Sequence, residues 1–83
     1  MDSFEITLKI IKGLENAVEQ GYNRLYVNVD NLDDGNGFIR VLAMNGPYDI
    51  IVYEGTFPLD ICYDVLFLLE QSEYSIKDFT TMR

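Results

Sequence analysis

The stretch RLYVNVDNLDDGNGFIRVLAMNGPYDIIVYE, residues 24–54, decides the fold. From Arg24 onward apolar and polar residues alternate. Leu25, Val27 and Val29 take one side and Tyr26, Asn28 and Asp30 the other, which is the period-two pattern of a half-buried strand. Residues 31–37 are polar and glycine-rich and read as a loop. Residues 38–44 form a second strand, Asn45-Gly46 is a tight-turn signal, and residues 48–54, rich in β-branched side chains, form a third strand. Three strands joined in this way predict an antiparallel meander. With an unbroken register, Leu25, Val27, Val29, Ile39, Val41, Ala43, Ile50 and Val52 point inward. Tyr26, Asn28, Phe38, Arg40, Leu42, Asp49, Ile51 and Tyr53 then point outward.

Amphipathic segments flank the strands. Asp2 and Glu5 have the spacing of a capping box, and the helix they open runs to Gly21. Phe4, Ile6, Leu8, Ile10, Ile11, Leu14, Ala17 and Val18 are expected on its core side, with Glu5, Lys9, Lys12, Asn16, Glu19 and Gln20 in water. After the strands, Thr56 reads as the cap of a second helix with Pro58 in its first turn, where a missing N–H costs nothing. That helix continues to about residue 72 and buries Ile61, Cys62, Val65, Leu66, Leu68 and Leu69. Residues 73–83, with Tyr74, Ile76 and Phe79 as anchors, read equally as a short strand or a helix. The order α-β-β-β-α predicts one small α+β domain over residues 1–83: a three-stranded antiparallel meander with both helices on one face and the other face open.

Charge is concentrated as well as excessive. The chain of 83 residues carries a net charge of −8. Between Arg24 and Lys77 it has one cation, Arg40, against nine acids: Asp30, Asp33, Asp34, Asp49, Glu54, Asp60, Asp64, Glu70 and Glu73. Ordinary surfaces interleave both signs, because unopposed like charges repel and destabilise the compact state. A hydrophobic content of 48%, with six tyrosines and five phenylalanines, argues against intrinsic disorder despite that charge. A single cysteine, Cys62, makes no internal disulfide, and the first residues have neither the positive start nor the apolar run of a signal peptide, so a cytoplasmic protein is expected. The longest apolar run, Val65 to Leu69, is far short of the roughly 20 residues that span a bilayer. Nucleic-acid and anionic lipid backbones would repel this chain, so neither is expected to bind it directly. A charged partner would be basic.

The usual catalytic groups are missing. Without histidine the commonest general base, proton shuttle and nitrogen metal ligand are absent. Cys62 sits on an apolar helix side, where its thiolate is costly and nothing activates it. The acidic, glycine-rich loop around Asp33 and Asp34 invites a calcium reading, but aligning either Gly35 or Gly37 with the central glycine puts Leu32 at a ligand position and Val41 or Ala43 where the bidentate Glu belongs. Asp60 and Asp64 lie one helical turn apart with nothing to build a pocket around them. No enzyme, metal or cofactor is expected.

Two surfaces remain as candidates. On the second helix Asp60, Tyr63, Asp64, Phe67 and Gln71 project within roughly a 100° arc away from the buried side, with Glu70 at its edge. Exposed aromatics flanked by carboxylates have the composition of an interface for Lys or Arg, unless Phe79 or Tyr74 folds back over them. Glu15, Glu19, Glu70 and Glu73 also lie near helix C-termini, where the macrodipole disfavours anions. A functional demand for negative surface would explain their placement. The second surface is the open sheet face, Tyr26, Phe38, Leu42, Ile51 and Tyr53 around Arg40, which suits a homodimer seam, another partner, or cover by the C-terminal segment.

In size, charge and element order the chain resembles the small acidic phage-encoded inhibitors that mimic DNA, most closely anti-CRISPR proteins that pair an N-terminal helix with a three-stranded sheet and a C-terminal helix. The resemblance implies a non-enzymatic inhibitor of a basic nucleic-acid-handling protein, a Cas or other nuclease. Its contact residues would be Asp33, Asp34, Asp60, Tyr63, Asp64, Phe67, Glu70 and Glu73. Two alternatives are an acidic immunity or antitoxin protein neutralising a toxin nuclease, and a homo-oligomeric scaffold built through the open sheet face.

Overall fold

A computed structural model describes residues 2–71 and the backbone of residues 78–82. Its elements are α1 (Ser3–Glu19), β1 (Arg24–Asn31), β2 (Asn36–Asn45), β3 (Tyr48–Pro58), α2 (Leu59–Glu70) and β4 (Asp78–Met82). The α-β-β-β-α order and the antiparallel β1-β2-β3 meander are as expected, and the undecided C-terminal segment contributes a strand. β4 pairs in parallel with β1, giving a four-stranded sheet of order β3-β2-β1-β4.

Local chemistry sets the ends of α1. The Asp2 carboxylate accepts the Glu5 N–H at 2.9 Å, which satisfies one of the four free donors at the helix start. At the other end Gly21 adopts φ +93°. The Gly21 N–H then donates to the Val18 carbonyl and the Tyr22 N–H to the Ala17 carbonyl, each at 3.0 Å. These paired bonds form a Schellman stop, which needs a residue at home in the left-handed region. Tyr22, just beyond it, packs on the core. Gly46, at φ +61°, performs the matching task in the two-residue loop between Asn45 and Tyr48.

One core holds the layers together. Ile6, Ile10, Leu14 and Ala17 of α1, Leu25, Val27 and Val29 of β1, Ile39, Val41 and Ala43 of β2, and Cys62, Val65, Leu66 and Leu69 of α2 are all buried in one cluster. Both helices therefore cover the same sheet face. Among the described residues, no helix is long and apolar enough to cross a membrane.

Three local expectations are corrected. First, α1 buries a narrower stripe than its apolar residues suggest: Phe4, Leu8 and Val18 are exposed (66%, 65% and 43%), while Thr7 is buried. A helix lying on a sheet covers only part of its circumference, and Thr7 enters because its hydroxyl is satisfied by the Ser3 carbonyl at 2.7 Å. Second, Thr56 does not cap α2. It lies in β3 opposite Phe38, the ladder runs on to Pro58, and Pro58 stands at the cap position without a side-chain bond. The carbonyl of Gly35 takes over the capping role by accepting the Leu59 N–H at 3.2 Å. Third, β3 is bulged. Val41 pairs with Tyr53 but Leu42 pairs with Ile51, so Val52 is an extra residue. Beyond it the alternation reverses, and Tyr53, expected on the open face, shares the helix-side face with Val41 and packs on the core. There its ring stacks on Phe57, with centroids 6.5 Å apart.

Candidate protein-interaction surfaces

The Gly35–Leu59 hydrogen bond ties the β1–β2 loop to the first turn of α2. It thereby joins two parts of the acidic set that lie more than 20 residues apart. In the loop the Asp34 carboxylate accepts the Asn36 N–H at 3.1 Å, an Asx turn that also leaves Asp33 and Asp34 in water. In the helix Asp60 turns back to accept the Ile61 N–H at 2.9 Å. Asp33, Asp34 and Asp60 thus gather at one end of the molecule. Asp64 follows one turn along α2, and Glu70 is the last residue of that helix. Glu73 lies outside the described residues.

The approach of loop and helix depends on Gly37. A β-carbon there would come within 3.0 Å of both the Cys62 sulfur and Leu59 Cδ2. Cys62 is fully buried, its sulfur directed at the carbonyls of Gly37 (3.5 Å) and Phe57 (3.7 Å). Burial pushes its thiol up from the ordinary range, and the nearby Asp60 carboxylate acts in the same direction.

Tyr63 and Phe67 lie on the exposed side of α2, at 40% and 61%. The acids of the set stand in open solvent: Asp33, Asp60, Asp64 and Glu70 have no ion-pair partner among the described residues. No three carboxylate or thiol groups come together there as a metal-holding set, again among the described residues. The arrangement presents negative charge and exposed aromatic rings to an approaching surface, a combination suited to Lys and Arg side chains. Residues 72–77 and the side chains of β4 lie outside the described residues, and with them the expectation that Tyr74 or Phe79 covers the α2 aromatics.

The second surface is the sheet face away from the helices. Tyr26, Leu42 and Ile51 are Cα partners across three strands and make one apolar row. Next to it Asn28, Arg40 and Glu54 make a polar row, in which the Arg40 Nε donates to the Glu54 carboxylate at 2.8 Å. The Arg40 guanidinium also lies over the Phe38 ring, 5.4 Å from its centroid. Tyr26, Phe38 and Leu42 are half-buried, and Ile51 is exposed at 57%. Tyr53 leaves this group for the reason given above. Met44, on the same face two residues from Leu42, belongs to it and was missed. The β4 backbone extends the sheet beside β1 and does not cross the face.

The exposed stripe Phe4–Leu8 on α1 was also missed. Its four-residue spacing is the available signal, because the same residues that look like a core side also fit an outward stripe.

Comparison of the chain with protein-family models, with curated proteins and with solved structures finds no match in any of the three.

Proposed function

We propose that the chain is an acidic docking protein with no catalysis of its own, which seats the Asp33–Asp34 loop and the outer side of α2 on a basic surface of a nucleic-acid-handling protein and so blocks that protein's nucleic-acid site. The observation that carries this reading is the junction made by the Gly35–Leu59 bond. It brings Asp33 and Asp34 next to Asp60 at one exposed end, from which Tyr63, Asp64 and Phe67 follow along the outer side of α2. Carboxylates spaced over a rigid loop and helix can occupy positions that phosphates take on the target, and their field speeds association. The aromatics add apolar docking that a phosphate chain lacks. A target such as a Cas nuclease or a toxin nuclease has the required basic channel.

The test is capture of binding partners on the tagged chain from bacterial lysate at about 0.1 M and about 0.5 M salt, which brackets strong and weak screening. The expected result is a basic nucleic-acid enzyme held at low salt and released at high salt, whose nucleic-acid binding the chain inhibits in purified form. Charge reversal by Asp60→Lys with Asp64→Lys should slow association at least tenfold with the fold intact. Unchanged association after that reversal would remove α2 from the contact.

A further inference from the structure

We infer that the open sheet face is the seam of a homodimer, with its two-fold axis parallel to the strands and lying over β2. The inference is independent of the docking proposal and concerns the opposite side of the molecule.

Charge selects the face. A chain of net charge −8 associates with itself only where the local charge is small, because each approach of like fields costs energy. On α1, α2 and the loop between β1 and β2, together with Asp2, nine acids (Asp2, Glu5, Glu15, Glu19, Asp33, Asp34, Asp60, Asp64, Glu70) stand against two lysines, Lys9 and Lys12. On the open face of β1–β3, three acids (Asp30, Asp49, Glu54) stand against two cations, Arg24 and Arg40. Two copies meeting by their helices would set seven excess charges against seven, whereas copies meeting by the open face of β1–β3 set one against one.

Register selects the axis. Rotation about a line parallel to the strands and above β2 lays β1 of one copy over β3 of the other, at the same height. The row Tyr26–Leu42–Ile51 then meets itself, with Tyr26 over Ile51 of the partner subunit and Leu42 over Leu42 of the partner subunit. The row Arg24–Met44–Asp49 does the same, setting Arg24 over Asp49 of the partner subunit twice, once on each side of the axis. The perpendicular axis in the sheet plane, placed over the apolar row, would also set that row on itself, but it would exchange the rows on either side and lay Asp49 over Glu54 of the partner subunit twice, acid against acid. At ordinary strand spacings the face covers on the order of 500 Å² per copy, or about 1,000 Å² for the pair. That is the lower edge of specific interfaces, so the expected dimer is weak, with Kd in the micromolar range.

Sedimentation of the full chain against concentration tests this. The expected result is a reversible dimer that tightens from about 0.1 M to about 0.5 M salt, because screening relieves the repulsion between two acidic molecules. This is opposite in sign to the salt response of target capture, so either proposal can fail without the other. Ile51→Asp should weaken the dimer at least tenfold while leaving the far-UV circular dichroism unchanged. Asp49→Arg and Arg24→Asp should each weaken it, and their combination should recover most of the loss. A chain that stays monomeric to about 1 mM overturns the proposal. So does a dimer indifferent to both Ile51→Asp and Asp49→Arg, and a dimer that the combined exchange fails to restore overturns the strand-parallel axis.

Discussion

Gly13 of α1 rests directly on Val52, the extra residue of the β3 bulge: a β-carbon at position 13 would come within 2.6 Å of Val52 Cγ1. The helix approaches the sheet this closely because one partner has no side chain and the other is pushed outward from the ladder by the bulge. Gly13→Ala sets two effects against each other. Alanine is the better helix former by about 1 kcal/mol, while overpacking a stiff β-branched neighbour costs about 1–3 kcal/mol. The clash should win, giving a net loss of about 1 kcal/mol in urea denaturation. Val52→Ala in the same chain should cancel much of it, and equal losses in the presence and absence of Val52 would show that the contact is not the cause.

Gly21 supplies a second test, of a backbone term alone. Its φ of +93° lies in the region where a β-carbon meets the following carbonyl, and open space around it leaves no packing penalty beyond the Asn45 side chain at 3.6 Å. Gly21→Ala should therefore destabilise the chain by about 1 kcal/mol, and Gly21→Asn by less, since Asn tolerates this conformation. Thermal melts that rank alanine above asparagine would contradict the Schellman stop as the source.

Much of this frame was legible because its signals are local. Asp2 and Glu5 announce the start of α1, Gly21 its end, and Asn45-Gly46 the turn, each through bonds to residues close in sequence. The misreadings share a different origin. Thr56 and Pro58 carry a good local cap signal, but pairing with Phe38 and Asn36 across the sheet outcompetes it and prolongs β3. The run Ile50-Ile51-Val52-Tyr53 has no polar alternation to mark a bulge, so nothing in it reveals that Tyr53 changes face. β4 was undecidable because its partner β1 lies some 50 residues earlier, and a parallel pairing leaves no hairpin signal. In the candidate site the exposure of Asp60, Asp64 and Phe67 followed from helical projection. That Asp33 and Asp34 join them depends on the Gly35–Leu59 bond, which no pattern in the sequence announces.

The buried thiol makes stability depend on pH in a predictable direction. Cys62 keeps its proton to higher pH in the folded chain than in the unfolded one, where it titrates near about 8.5. Below that value both states hold the proton and the group adds no slope. Above it the unfolded state sheds its proton first, so it binds fewer protons than the folded state and stability falls with pH, by at most about 1.4 kcal/mol per unit. Cys62→Ala should be less stable at neutral pH, because it opens a small cavity, yet it should lack this slope. The gap between the two chains should narrow from about pH 8 to about pH 10. A constant gap in urea denaturation across that range would mean that the native thiol ionises as freely as the unfolded one.

Glu19 and Glu70 are the last residues of α1 and α2, and neither helix has a basic residue in its final turn. At a C-terminus the carbonyl dipoles already present partial negative charge, so each glutamate stands where a lysine would stabilise. Glu70→Lys should therefore raise stability by roughly 0.3–1 kcal/mol at low salt, and Glu19→Lys by a similar amount, with the gain shrinking as salt is added. If the acids are kept for docking, the two variants should diverge in function: Glu70→Lys, on the same helix as Asp60 and Phe67, should slow target association, whereas Glu19→Lys, on the other helix, should slow it less. Parallel melts and association rates on the two variants separate the effects. Equal slowing by both would indicate a response to net charge alone, and the contact would then need no particular face of α2.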